Sequence, residues 1–149
     1  MTPYFLPPTM GICHVNRIID GDTLECDKLK IRLCGIDSPE KCQPYGVPAT
    51  AKLTQLALNK NVHIVSNSID IYNRVLGEVW LNNRFINAEM VKAGLAYTYG
   101  TCPTQKTVLI NAEKSAISNK FGVWQFGTAG QERPWKYRKT HPKSLPPQR

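Results

Sequence analysis

Hydrophobic and polar positions alternate with a short period from Gly11 to Leu33. Val15, Ile18, Ile19, Leu24 and Cys26 stand among polar residues, and Asp20-Gly21-Asp22 breaks the run with a turn signal. The pattern predicts a strand over 11–19, a tight turn and a strand over 22–27. Leu29, Ile31 and Leu33 then alternate with Lys30 and Arg32, so a third strand buries one face and presents Arg32 on the other. Gly35 to Pro39 ends that strand and leaves Asp37 and Glu40 in a loop just beyond it.

The period changes after Gly46. Residues 47–59 read as an amphipathic helix with Leu53, Leu56 and Ala57 inward and Pro48 in its first turn. Alternation returns over 62–69 and 75–81, two strands joined by Asp70 to Arg74. Asn82-Asn83 is a turn, and Asn87 is expected to cap a helix over 88–92 that stops at Gly94. Tyr97 to Pro103 reads as an extended loop. Thr104 is expected to cap a helix to about 120, with Val108, Ala112, Ala116 and Ile117 inward. Three strands, a helix, two strands and further helices suit an α+β, mainly β fold, a five-stranded OB-type barrel with about three helices. This divides the chain into an N-terminal extension (1–10), one domain (11–126) and a basic, Pro-rich, mostly disordered tail (127–149).

The length suits one domain with a modest core, and no apolar run is long enough to cross a bilayer. Residues 1–9 lack a basic start and are broken by Pro3, Pro7 and Pro8, so they do not read as a signal peptide. The net charge of +8 points to an acidic partner such as nucleic acid. Much of it sits in the tail, where six Lys and Arg face Glu132 alone. There, Arg133-Pro-Trp-Lys-Tyr-Arg138 interleaves basic and aromatic residues, in a stretch read as solvated, with packing on the barrel or contact with nucleic acid as the alternatives. None of the five cysteines has the C-x-x-C spacing of a zinc ribbon. Cys26 and Cys34 fall in or beside strands and read as buried hydrophobes, whereas Cys42 and Cys102 lie in loops and suit a bridge better. His14, His63 and His141 have no mutual metal-site spacing.

Each polar piece is unremarkable alone: Asp-Gly-Asp is an ordinary turn, and Arg32 alone an ordinary strand residue. Their order carries the signal. An acidic turn (Asp20, Asp22), a strand arginine (Arg32), an acidic loop (Asp37, Glu40) and a distant Arg74 bring oxygen ligands for a hard cation together with guanidinium forks that match phosphate. Such a set suits hydrolysis of a phosphodiester.

Five blocks are in the same order as in the staphylococcal nuclease (thermonuclease) family. They are Ile19-Asp-Gly-Asp-Thr23, Arg32-Leu-Cys-Gly-Ile-Asp-Ser-Pro-Glu40, Tyr45-Gly46, Asp70-x-Tyr-x-Arg74 and Asn87-x-Glu-x-Val-x-x-Gly-Leu95, and the resemblance covers about 11–126. It implies an OB-fold endonuclease that uses Ca²⁺ to cut DNA and RNA, single strands preferred, leaving 3′-phosphate ends. By the same resemblance Asp22, Asp37 and the Ser38 backbone carbonyl hold the metal, with Asp20 just behind them. Arg32 and Arg74 bind phosphate, Glu40 is the general base, and Tyr72, Tyr97 and Tyr99 contact substrate. Single- and double-stranded DNA and RNA are the expected partners, with no membrane, and the chain is expected to be a monomer. An exported location is expected, as for related enzymes. The chain departs from the family at Ile71, where a basic residue is common, at Asn73, where Gly is common, and in a shorter loop over 41–43. The competing class is a non-catalytic OB module that binds nucleic acid.

Overall fold

The computed structural model describes residues 11–128 and 130–142. The N-terminal extension and the last seven residues, 143–149, lie outside them. Five strands form the barrel: β1 (Gly11–Asp20), β2 (Thr23–Cys26), β3 (Leu29–Leu33), and, after a two-residue β4 (Ile36–Asp37) and helix α1 (Gly46–Ala57), β5 (Asn61–Ile69) and β6 (Val75–Leu81). They run β3-β2-β1-β5-β6, and a parallel pairing of β3 with β6 closes the ring, with Ile31 opposite Val75 and Leu33 opposite Gly77. This is the expected five-stranded OB-type barrel. Closure removes open sheet edges and gives the alternating residues one interior to fill. Val15, Leu24, Ile31, Leu33, Ile64 and Val79 fill it.

A short β7 (Arg84–Phe85) leads into helix α2 (Ile86–Lys92), followed by β8 (Tyr97–Thr98), helix α3 (Lys106–Asn119) and a single 3₁₀ turn, Gly122–Trp124. Two expected caps do other work. Asn87 lies inside α2, fully buried. Its Oδ1 accepts the Val79 N–H at 3.0 Å, and its Nδ2 donates to the carbonyls of Cys34 (2.9 Å) and Gly77 (3.2 Å). One amide thus ties a helix to both strands at the closure of the barrel. Thr104 donates to Glu78 Oε2 at 3.1 Å instead of capping α3, which begins after Gln105. Leu109 and Ala116 are the buried residues of α3, and Val108 is exposed.

The cysteines pair differently from expectation. Cys13 bridges Cys26 and Cys34 bridges Cys102, with Cα atoms 5.8 and 5.1 Å apart, and Cys42 is free and exposed. Cys26 and Cys34 are buried as expected, but burial in a closed barrel also brings each against a partner distant in sequence. The second bridge pins the start of the Gly35–Glu40 loop to the base of α3.

The segment expected to be a mostly disordered tail contains a fourth helix, α4 (Pro134–Thr140), with proline in its first turn. The described part of this segment is held by apolar and polar contacts together. Trp135 stacks on Tyr99 with ring centroids 4.8 Å apart, and the Arg133 guanidinium lies over the rings of Tyr97 and Trp124. Gln43 Nε2 donates to the Glu132 carbonyl at 2.8 Å.

Candidate active site

Two turns from opposite ends of the motif meet because of Gly21. A Cβ built there would lie 2.7 Å from the Ala49 Cβ and 2.8 Å from the Ser38 Cβ. Only a residue without a side chain lets the β1–β2 turn approach the loop after β4 this closely. The consequence is contact between Asp22 and Ser38. Asp22 Oδ2 accepts the Ser38 backbone N–H at 2.9 Å and its hydroxyl at 3.1 Å, while Oδ1 accepts the Thr23 hydroxyl at 2.9 Å.

Arg32 leaves β3 on the face opposite Ile31 and Leu33. Its Nη1 donates to the carbonyls of Leu33 and Ile36, both at 2.8 Å. Its Nη2 then lies 3.5 Å from Asp22 Oδ2 and 3.5 Å from Asp37 Oδ1. The guanidinium is held by the backbone on one side and joins the two buried aspartates on the other. Burial works to raise the Asp22 carboxyl, but Arg32 and the hydrogen bonds from Asp20, Ser38 and Thr23 outweigh it and hold the group below its ordinary range. Asp20 behaves in the opposite way. Burial, then the neighbouring Asp22 charge, push it up to about 7. Asp20 Oδ1 also accepts the Asp22 backbone N–H at 3.2 Å. Burial and the Asp22 charge also raise Asp37, against Arg138 and Arg32.

Arg74 reaches the site from the β5–β6 turn. Asp70 Oδ1 accepts the backbone N–H groups of Tyr72 (2.9 Å) and Arg74 (3.0 Å), and Oδ2 accepts Arg74 Nε at 2.8 Å, with Nη2 at 2.7 Å. Asn73 takes a positive φ of 63°, so asparagine serves where the family commonly has glycine. Ile71 is exposed at the turn's tip.

Asp20, Asp22, Arg32, Asp37, Glu40 and Arg74 line one cleft of about 540 Å³, with Lys30, Tyr72, Tyr99 and Arg138. The three tyrosines separate. Tyr72 is 71% exposed beside Arg74, and Tyr99 is partly exposed with one face already against Trp135. Tyr97 is 1% exposed and packs edge-on against Trp124 and Trp135, so it is a core residue and cannot stack on a base. The barrel and α4 close over its ring. Two contributors to the cleft escaped the sequence reading. Gln43 Oε1 accepts the Glu40 N–H at 2.9 Å and shapes the loop that carries Glu40. Arg138 Nη1 and Nη2 donate to Asp37 Oδ1 (3.1 Å) and Oδ2 (2.8 Å), and Nη1 also donates to Glu40 Oε2 at 2.8 Å. Pro134 at a helix start and the aromatic residues around it were the available signal that this segment packs.

The donor set contains only oxygens: the Asp22 and Asp37 carboxylates, with Asp20 behind and Ser38 against them. That suits a hard divalent cation, which takes oxygen ligands. Among the described residues no three acidic, His or Cys side chains form a ready-made cage.

The sequence model of the family described as staphylococcal nuclease homologue matches residues 30–126. This chain belongs to that family. It is an enzyme of the nuclease class, with a nucleic acid as substrate. The chain is 33% identical over 129 residues to an "uncharacterized endonuclease" of Haemophilus influenzae, covering 83% of this chain and 72% of the relative. It is 33% identical over 141 residues to a micrococcal nuclease of Shigella flexneri, covering 85% and 79%. A staphylococcal-like nuclease, CAN1, of Arabidopsis thaliana is 34% identical over 112 residues, covering 75% of this chain but 34% of the plant protein. The chain thus spans most of those bacterial relatives and about a third of the plant one.

Proposed function

We propose that this nuclease is a Ca²⁺-dependent endonuclease that hydrolyses DNA and RNA without base specificity and leaves 3′-phosphate ends. The observation that carries the reading is the convergence of Asp22, Arg32, Asp37, Glu40 and Arg74 on one cleft. Asp22, Asp37 and the Ser38 carbonyl would hold the cation, with Asp20 supporting Asp22. When bound, the cation supplies Lewis-acid polarisation of a phosphoryl oxygen.

The chain's own groups do the rest. Arg32 and Arg74 approach the phosphate from two sides of the cleft and stabilise the charge gained as phosphorus becomes five-coordinate. Glu40 accepts a proton from the attacking water. The new water-oxygen-to-phosphorus bond forms as the bond from phosphorus to the 5′ oxygen breaks, and that oxygen takes a proton from solvent. Tyr72 offers an exposed ring for a base, and a ring accepts any base, which suits non-specific cutting. Two disulfides support an oxidising, extracytoplasmic setting.

The test is cleavage of single-stranded DNA and RNA with Ca²⁺ or with chelator, by wild type and Glu40→Gln, with the product ends identified. Ca²⁺-dependent cleavage to 3′-phosphates, lost in Glu40→Gln, is expected. Binding without cleavage in Ca²⁺ would favour the non-catalytic OB module. Cleavage indifferent to chelator would remove the metal role.

A further inference from the structure

Arg138 lies beyond residues 30–126, the part that matches the family, yet it makes three hydrogen bonds to two carboxylates of the cleft. Its fork spans both oxygens of Asp37, which is 1% exposed, and reaches on to Glu40. An arginine can do this because its planar donors are fixed relative to one another, whereas a lysine has a single ammonium.

The helix that carries Arg138 is fastened to the barrel at several points. Pro134 is buried, Trp135 stacks on Tyr99, and Arg133 lies over Tyr97 and Trp124. Gln131 Nε2 donates to the Pro44 carbonyl at 2.9 Å, and Glu132 accepts from Gln43, the residue that also holds the Glu40 N–H. The segment before α4 and the loop bearing Glu40 are therefore bonded to each other, which is the arrangement of a wall and not of a swinging lid. An ionised carboxylate has about four lone-pair sites, and Arg138 takes one on each Asp37 oxygen, so its presence is compatible with Asp37 also holding a cation.

We propose that Arg138 is a positioning residue of the nuclease site. From a helix outside the family-matched segment it clamps Asp37 to Glu40 and sets the carboxylate that holds the cation against the one that takes the proton. This assignment rests on the proposed metal and base roles of those two residues. It makes α4 part of the active site and accounts for why Arg138 stands in a basic tail beside an aromatic anchor, Trp135.

The experiment uses the full chain, with Arg138→Ala and Arg138→Lys, each checked for an unchanged thermal midpoint. Steady-state cleavage of single-stranded DNA should show kcat lowered roughly 10- to 100-fold in both variants with KM within about twofold, the range found for groups that orient metal ligands. Millimolar guanidinium should restore part of kcat in Arg138→Ala, which a purely structural contact would not allow. Ca²⁺ titration calorimetry without nucleic acid should show weaker binding in Arg138→Ala, because Asp37 is no longer held. Unchanged or raised kcat would overturn the proposal. So would tighter Ca²⁺ binding, since Arg138 would then be a blocking cation. If the wild type does not cut nucleic acid in Ca²⁺, the proposed function fails. The clamp is then decided by calorimetry alone: weaker Ca²⁺ binding in Arg138→Ala upholds it, and equal or tighter binding overturns it.

Discussion

Arg32 and Arg74 face the same cleft but are held by opposite means. Arg32 is largely buried and anchored by two backbone carbonyls, and its remaining edge serves two buried aspartates. Arg74 stands on a hairpin turn and is oriented by Asp70, four residues earlier, which also builds the turn. The inner arginine is part of the architecture of the barrel, and the outer one is a local device on an exposed tip. The inner end should therefore couple catalysis to stability, while the outer end should lose one without the other.

The strongest way to break this contrast is Arg32→Ala. Cleavage should fall on the order of 10²- to 10³-fold, as for loss of one charge-stabilising donor. Stability should fall by about 3 kcal/mol, the lower end for a broken buried pair, because Asp22 loses its one ion partner while Asp37 keeps Arg138. Activity assays with urea unfolding check both. Arg74→Ala should cost cleavage on the order of 10²-fold yet change stability by no more than about 1 kcal/mol. A comparable loss of stability in both variants would erase the distinction.

A pH series sharpens the inner end further. The Asp20 pKa is raised in the folded state to about 7, so the folded protein binds more protons than the unfolded chain between the ordinary carboxylate range and neutrality. Stability must then fall as pH rises through that window and level off above it, a contribution of at most about 4 kcal/mol. Asp20→Asn should flatten the decline in urea melts between pH 4 and 8. Asp70 has the opposite sign. Its partial burial is outweighed by hydrogen bonds from Arg74 and Tyr72, its pKa is lowered, and its small stabilisation is lost only as pH falls through the acid range. The smallest effect belongs to the outer ring. Tyr72→Ala should raise KM for single-stranded DNA by the equivalent of about 1 kcal/mol with kcat unchanged, near the lower bound for one stacked base.

The same contrast explains what could be read along the chain. The outer device is local, and Asp70-x-Tyr-x-Arg74 displays its turn, its orienting acid and its arginine within five residues. Strand periodicity likewise made the barrel legible, because a closed sheet needs alternating positions with one apolar face. Asn87 and Thr104 carry good capping signals, yet both side chains are bonded to groups far along the chain. A cap preference worth about 1 kcal/mol is readily overridden when a buried backbone group needs a partner.

The sequence by itself determined the acid and arginine blocks, the five alternating strands and the family to which they belong. These depend on period, turn chemistry and residue order, all of which are local. Only the tertiary structure decided which cysteines pair, that Tyr97 is core, and that Arg138 meets Asp37 and Glu40. Each of those depends on two segments distant in sequence being brought together. Charge and composition at 127–149 describe what the segment is made of, whereas the place of α4, within its described part, is set by the aromatic surface of Tyr97, Tyr99 and Trp124 on which Arg133 and Trp135 pack.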